Sequence, residues 1–180
     1  MTKTFEEHLC GILVTKKVLS KKEAQALQED FKNRSQEVFD NFLLSEGLVS
    51  KADLLDALSI YYSVPAFDVV GHFFKHELLL EFPQDFLVRE GLIPLQREEE
   101  ILVIVASEPD NEDLLPELAE YVSDEIQFNV GIKSDIIDSV VEYYKDSPFS
   151  VDEQEIESDE KDELYEDEKL LEEVYEDSED

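Results

Sequence analysis

The chain has 180 residues and a formal net charge of −32, with 15 Lys or Arg set against 47 Asp or Glu. That balance excludes a basic nucleic-acid surface, because neutralising phosphates takes clustered Lys and Arg, and it disfavours an anionic membrane surface on the same ground. The acidity is spread: residues 151–180 hold 17 Asp or Glu and two Lys, a net −15, and residues 1–150 carry the other −17. The one cysteine, Cys10, has no partner for an internal disulfide, and its neighbours Leu9, Ile12 and Leu13 mark it as a small buried hydrophobe. Glu6 and Glu7 precede a very short apolar run, so the N-terminus does not read as a signal peptide, and no run approaches the ~18 apolar residues of a membrane span. The expectation is a soluble cytoplasmic protein.

Residues 5–62 contain an internal repeat at an offset of 30. Leu13-Val14 matches Leu43-Leu44, Val18-Leu19-Ser20-Lys21 matches Leu48-Val49-Ser50-Lys51, and Glu23 matches Asp53. Ser20 with Glu23 has capping-box spacing and Ser50 with Asp53 is a shorter-armed version, so a helix begins after each serine. Phe39, Phe42 and Leu43, then Leu54, Leu55 and Leu58, recur at helical spacing. The pattern predicts two helical hairpins, four helices in all.

Tyr61 to Gly71 reads as an extended connection, with Pro65 restricting Val64 and a short strand over 66–70. Two helical pieces follow, over 75–80 and 84–90, with Pro83 suited to the first position of the second and Gly91 to its left-handed end. Leu92 to Leu95 and Ile101 to Ala106 are the arms of a hairpin joined by the charged connection Arg97 to Glu100. Pro94 lacks a ladder donor, which places the first arm at a sheet edge and the second in the centre. A helix over 111–122 capped by Asp110 or Asn111, an alternating strand over 125–132, and a helix capped by Ser134 and running through Tyr144 complete the reading. Beyond Pro148 the composition is acidic and of low complexity, and disorder is expected. Leu164, Leu171, Val174 and Tyr175 fall at i, i+7, i+10 and i+11, on one face of a helix that would form on binding a partner.

The predicted architecture is α+β: a helical-repeat subdomain over 1–62, a small α+β subdomain of about three strands over 63–148, and an acidic disordered tail over 149–180. The run from Phe82 to Asn111, with its Pro, short helix, Gly-apolar-Ile-Pro-Leu, polar turn, Leu-Val-x-x-Ala and x-Pro-x-Asn, resembles the N-terminal domain of the hexameric ATPases of type II secretion and type IV pili. The resemblance, to MshE-type N-terminal domains, covers roughly residues 5–145. It implies binding of cyclic di-GMP through the helical repeat, or docking on a membrane-associated component of the machine.

No catalytic set is present in this sequence. GxxxxGK[ST] is absent, and with it the backbone cradle for a nucleotide phosphate, so the chain is read as a free-standing relative without the ATPase domain and not as an enzyme. His72 and His76 stand at i, i+4, able to share a helix face, but no third ligand accompanies them, and neither a metal nor a cofactor is expected. The resemblance places cyclic di-GMP contacts at an Arg-Leu-Gly opening and a closing Gln in each repeat, with a glycine at the turn. Here the first repeat has His8, Leu9 and Cys10, then Lys17 and Phe31, while the second has Val38, Phe39 and Asp40, then Gly47 and Tyr61. Of the polar determinants only Gly47 remains, and Asp40 opposes a dianionic ligand.

Against this acidic background Lys16, Lys17, Lys21 and Lys22 gather at the first repeat's turn. With Gly47 they are the candidate anion-binding site, open to a nucleotide or to an acidic segment such as the chain's own tail; solvated lysines near a helix end are the plain alternative. The function expected is a non-catalytic protein-interaction and regulatory module whose partner belongs to a secretion, pilus or motility system. The alternative is a sensing module for cyclic di-GMP or another anionic ligand through an altered site, and a third reading is an acidic decoy for a basic partner.

Overall fold

Thr4 and Ser20 start the first two helices by the same device. In the computed structural model, which describes residues 2–34 and 36–146, each hydroxyl accepts the N–H three residues on while Glu7 or Glu23 reaches back to the cap's own N–H. Two orphan donors are satisfied at each helix start. Ser50 makes half of this box: it accepts from the Asp53 N–H, but the shorter Asp53 carboxylate takes the serine hydroxyl instead of the backbone. The outcome is α1 (Phe5–Thr15), α2 (Lys21–Lys32), α3 (Phe39–Ser45) and α4 (Lys51–Tyr62), the two hairpins that the repeat predicts.

Their inner faces meet through Leu9, Leu13, Phe42, Leu43, Leu54 and Leu58, all essentially without solvent contact. Phe31, Phe39 and Phe42 form one aromatic cluster, and Phe5, Tyr61 and Tyr62 another, with Phe5 reaching Phe39 at a ring distance of 6.4 Å. Burial pushes the Cys10 thiol up, as expected of a residue used for its volume.

The second half comprises α5 (His76–Leu79), α6 (Gln84–Glu90), β1 (Leu92–Glu98), β2 (Ile101–Ala106), α7 (Leu114–Leu118), β3 (Glu125–Val130) and α8 (Lys133–Lys145). The three strands form one sheet in the order β1-β2-β3, antiparallel then parallel. β1 is the edge that Pro94 requires, and the ladder shifts register between Pro94 and Gln96. Among the described residues the architecture is therefore α+β, with eight helices and three strands. Val130, the last residue of β3, and Ile132 just after it sit in the same buried cluster as the helical hairpins. The described residues up to Tyr143 gather into one compact unit.

Four local expectations are corrected. The strand over 66–70 reduces to one bridge: Pro65 accepts from the Val130 N–H, Phe67 donates to the Val130 carbonyl, and the chain then leaves the sheet. Pro83 lies one place earlier than expected, as the cap of α6. The helix over 111–122 shrinks to α7, because the Asn111 side chain accepts the Asp113 N–H and holds a turn where the helix was expected to begin. Ser134 does not cap α8 but lies inside it, and its hydroxyl donates to the Asn41 side chain on α3 at 2.9 Å. Lys51 on α4 likewise pairs with Asp135 on α8 at 2.9 Å. These two bonds tie the first turn of α8 to the helical hairpins.

Candidate functional site

The lysine turn is built by a helix C-cap. α1 ends in a pair of bonds from the Val18 N–H to the Leu13 carbonyl and from the Lys17 N–H to the Val14 carbonyl, with Lys17 itself in the left-handed region at φ 63°. This is the Schellman arrangement, in which glycine usually holds the position Lys17 occupies. Because the turn's amides serve the cap, an anion there would be held by side chains alone. Lys16 pairs with Asp56 of α4, while Lys17, Lys21 and Lys22 are exposed, the last two on the first turn of α2. Gly47 occupies the equivalent cap of the second hairpin at φ 72°, its N–H donating to the Leu44 carbonyl. The four lysines thus share one turn and Gly47 belongs to another.

A second place includes Val38, Asp40 and Tyr61, three of the second-repeat positions at which the resemblance places ligand contacts. A cavity of about 320 Å³ lies where α3, the end of α4 and the loop after β2 meet. The rings of Phe5, Tyr61 and Tyr62 line it, and Asp40 and Ser107, only 7% and 6% exposed, contribute polar atoms. Asp40 Oδ1 and Ser107 Oγ are both buried and have no hydrogen-bond partner among the described residues. Glu108, Asp110 and Lys133 complete the lining. Burial, reinforced by Glu108 and opposed by Lys133, pushes the Asp40 carboxyl up to about 6. Burial and the neighbouring Asp110, Asp40 and Glu108 raise Tyr62, so its phenol keeps its proton.

Ser107 is where it is because of Gly91. The Ser107 N–H donates to the Gly91 carbonyl at 3.0 Å, and a Cβ at Gly91 would stand 2.5 Å from Ser107 Oγ. Gly91, at φ 64°, satisfies both the left-handed end of α6 and this close approach. In the sequence the cavity is signalled by Val38, Asp40 and Tyr61 of the second repeat, and Asp40 stands out as an acid between Val38-Phe39 and Phe42-Leu43-Leu44.

His72 and His76 do not share a helix face, because α5 starts only at His76 and His72 lies in the preceding irregular segment. The His72 ring instead packs edge-on between Phe67 and Phe74, at 5.1 and 4.6 Å. Leu164, Leu171, Val174 and Tyr175, proposed for partner binding, lie outside the described residues. No described helix is long and apolar enough to cross a membrane.

Residues 72–150 match the family model of the MshEN domain. Among solved structures the chain is similar to MshE with cdg, at 20% identity and a TM-score of 0.60, over 76% of this chain and 98% of that one. It is similar also to the N-terminal domain of XpsE, at 17% identity and a TM-score of 0.52, over 79% of this chain and 98% of that one. No curated protein matches the chain at a significant level. Identities this low carry the fold and not the ligand. Over residues 72–150 the chain is similar to the MshEN domain, and its described residues share the fold of an MshE-type N-terminal domain.

Proposed function

We propose that this chain is a non-catalytic interaction and regulatory module that docks on a protein component of a secretion, pilus or motility machine. The observation that carries the reading is an MshE-type fold whose repeat has lost the polar residues through which the family is expected to hold a nucleotide. Val38 and Asp40 stand at the opening of the second repeat, and Phe31 and Tyr61, where glutamines were expected, belong to aromatic clusters. A module that keeps its scaffold and not those contacts is suited to binding protein. The absence of GxxxxGK[ST] from the sequence supports the non-catalytic part.

The test is affinity capture with the full chain from its native cell, followed by reconstitution with the purified candidate. A secretion, pilus or motility component that rebinds in purified form supports the reading, and failure of every captured candidate to rebind overturns it.

A second reading rests on the lysine turn: a sensor for cyclic di-GMP or another anion, held by Lys17, Lys21 and Lys22 with Lys16 released from Asp56. Three exposed lysines on a chain of net charge −32 are the observation in its favour. Isothermal titration with cyclic di-GMP decides it. Micromolar affinity lost when the four lysines become alanine establishes the sensor, whereas no heat at millimolar ligand removes it.

A further inference from the structure

We propose that the cavity between α3 and the loop after β2 receives a guanidinium group, supplied by an arginine side chain of a basic protein segment. This deepens the docking reading above and rests on it for the partner's identity, though not for the chemistry of the site. Two buried acceptors, Asp40 Oδ1 and Ser107 Oγ, come from separate elements, open on one cavity, and find no donor among the described residues. A buried acceptor without a donor costs on the order of 1–3 kcal/mol, so the site favours a ligand that brings donors.

The ligand's charge follows from the lining. Asp40, Glu108 and Asp110 face one cation, Lys133, so an ionised Asp40 leaves the cavity two charges negative. An anion is repelled and a cation attracted. The ligand's shape follows from the rings: Phe5, Tyr61 and Tyr62 give the cavity an aromatic side on which a flat cation can lie. A guanidinium is planar and weakly hydrated, and its fork of donors can meet a carboxylate and a hydroxyl together. An ammonium is a compact, strongly hydrated point charge and loses more on entering. The volume of about 320 Å³ compares with about 10–15 Å³ for a single water. At long range the chain's net charge of −32 draws basic segments towards it.

The experiment titrates the full ¹⁵N-labelled chain with N-acetylarginine amide, N-acetyllysine amide and free arginine, following backbone amide shifts. Saturable shifts at residues 39–41, 61–62 and 107–110 are expected with the arginine amide, with the lysine amide at least about fivefold weaker. Asp40→Asn should weaken binding at least about tenfold, and Ser107→Ala should weaken it less. Free arginine carries its own carboxylate past Glu108 and Asp110, so it should bind less tightly than the amide; tighter binding by free arginine would instead identify a small-molecule source of the same group. Equal binding of the lysine amide, undiminished binding by folded Asp40→Asn, or unsaturable shifts spread over the acidic surface each overturn the proposal. If the arginine amide saturates the cavity but native capture yields no machine component, the guanidinium site stands and the partner reading falls. If capture succeeds and the arginine amide does not saturate, the partner docks elsewhere and the guanidinium site falls.

Discussion

Lys17 and Gly47, thirty residues apart, hold the same left-handed backbone at the same place in the two helical hairpins, φ 63° and φ 72°. The repeat is therefore preserved in backbone conformation where it is lost in residue type. A residue with a Cβ at such a position costs roughly 1–2 kcal/mol relative to right-handed geometry, and glycine avoids the steric part. Lys17→Gly is expected to raise stability by about 0.5–1 kcal/mol even though glycine loosens the unfolded chain. Gly47→Ala should lower it by about 1 kcal/mol, and the effect is conformational alone, since a Cβ there has open space. Urea denaturation of the two variants checks the pair; a Lys17→Gly protein less stable than the parent, beside a destabilised Gly47→Ala, would mean that the turns are not equivalent.

How much of this was readable in the sequence depends on the range of the interaction that decides each element. The Ser20 and Glu23 cap, the left-handed Gly91 and the edge position of β1 depend on neighbours within a few residues, and periodicity or a missing donor reveals them. The single bridge at Ala66, the hydroxyl of Ser134 spent on Asn41, and the meeting of Asp40 with Ser107 depend on residues far apart in the chain. Neither Asp40 nor Ser107 signals its partner, because the cavity exists only once the loop after β2 is laid against α3. The lysine turn shows the converse. The sequence revealed the cluster, but only the fold showed Lys16 committed to Asp56 and the turn's amides committed to the cap.

Arg97 joins three segments. Its guanidinium donates through both terminal nitrogens to Glu81 at 2.7 Å each, and through Nε and one terminal nitrogen to Asp124 at 2.8 and 2.9 Å. This holds the β1 end against the turn after α5 and the approach to β3. Arg97→Lys keeps the charge but not the fork and should cost about 1 kcal/mol, whereas Arg97→Met leaves the Glu81 and Asp124 carboxylates facing each other and should cost on the order of 2 kcal/mol. Denaturation in 50 mM and 500 mM salt checks this: the deficit of Arg97→Met should shrink at high salt as the repulsion is screened.

Burial is uneven along the central strand, which is fully covered at Val105 on one face but not at Val103 on that same face. Leu102 and Ile104 are 0% and 1% exposed, while Val103 between them is half-buried. Although the run Ile101 to Ala106 reads as uniformly apolar, truncation at Ile104 and at Val103 should differ. Ile104→Ala should cost about 2–5 kcal/mol and Val103→Ala about 1 kcal/mol. Thermal melts that rank Val103→Ala as the more damaging would contradict the burial difference between these two positions.

Asp40 makes stability depend on pH in the unusual direction. Its carboxyl is raised from 3.8 to about 6 in the folded chain, first by burial and then by Glu108, with Lys133 acting against both. The folded state therefore binds this proton more tightly than the unfolded state does. Stability contributed by the group is fully present below about pH 4 and is lost as pH rises through about 6, so that at neutral pH the ionised carboxylate is a net cost. A shift of this size corresponds to on the order of 2–3 kcal/mol. Asp40→Asn removes the charge with little change of shape, and should leave stability nearly unchanged at pH 4 while raising it by an amount approaching that figure at pH 7. Following the difference between the two proteins from pH 4 to pH 7 by chemical denaturation cancels the contribution of the many other acids. A difference that does not grow with pH would mean that the buried carboxylate is already compensated in the folded chain, which would also remove the unmet acceptor on which the guanidinium site depends.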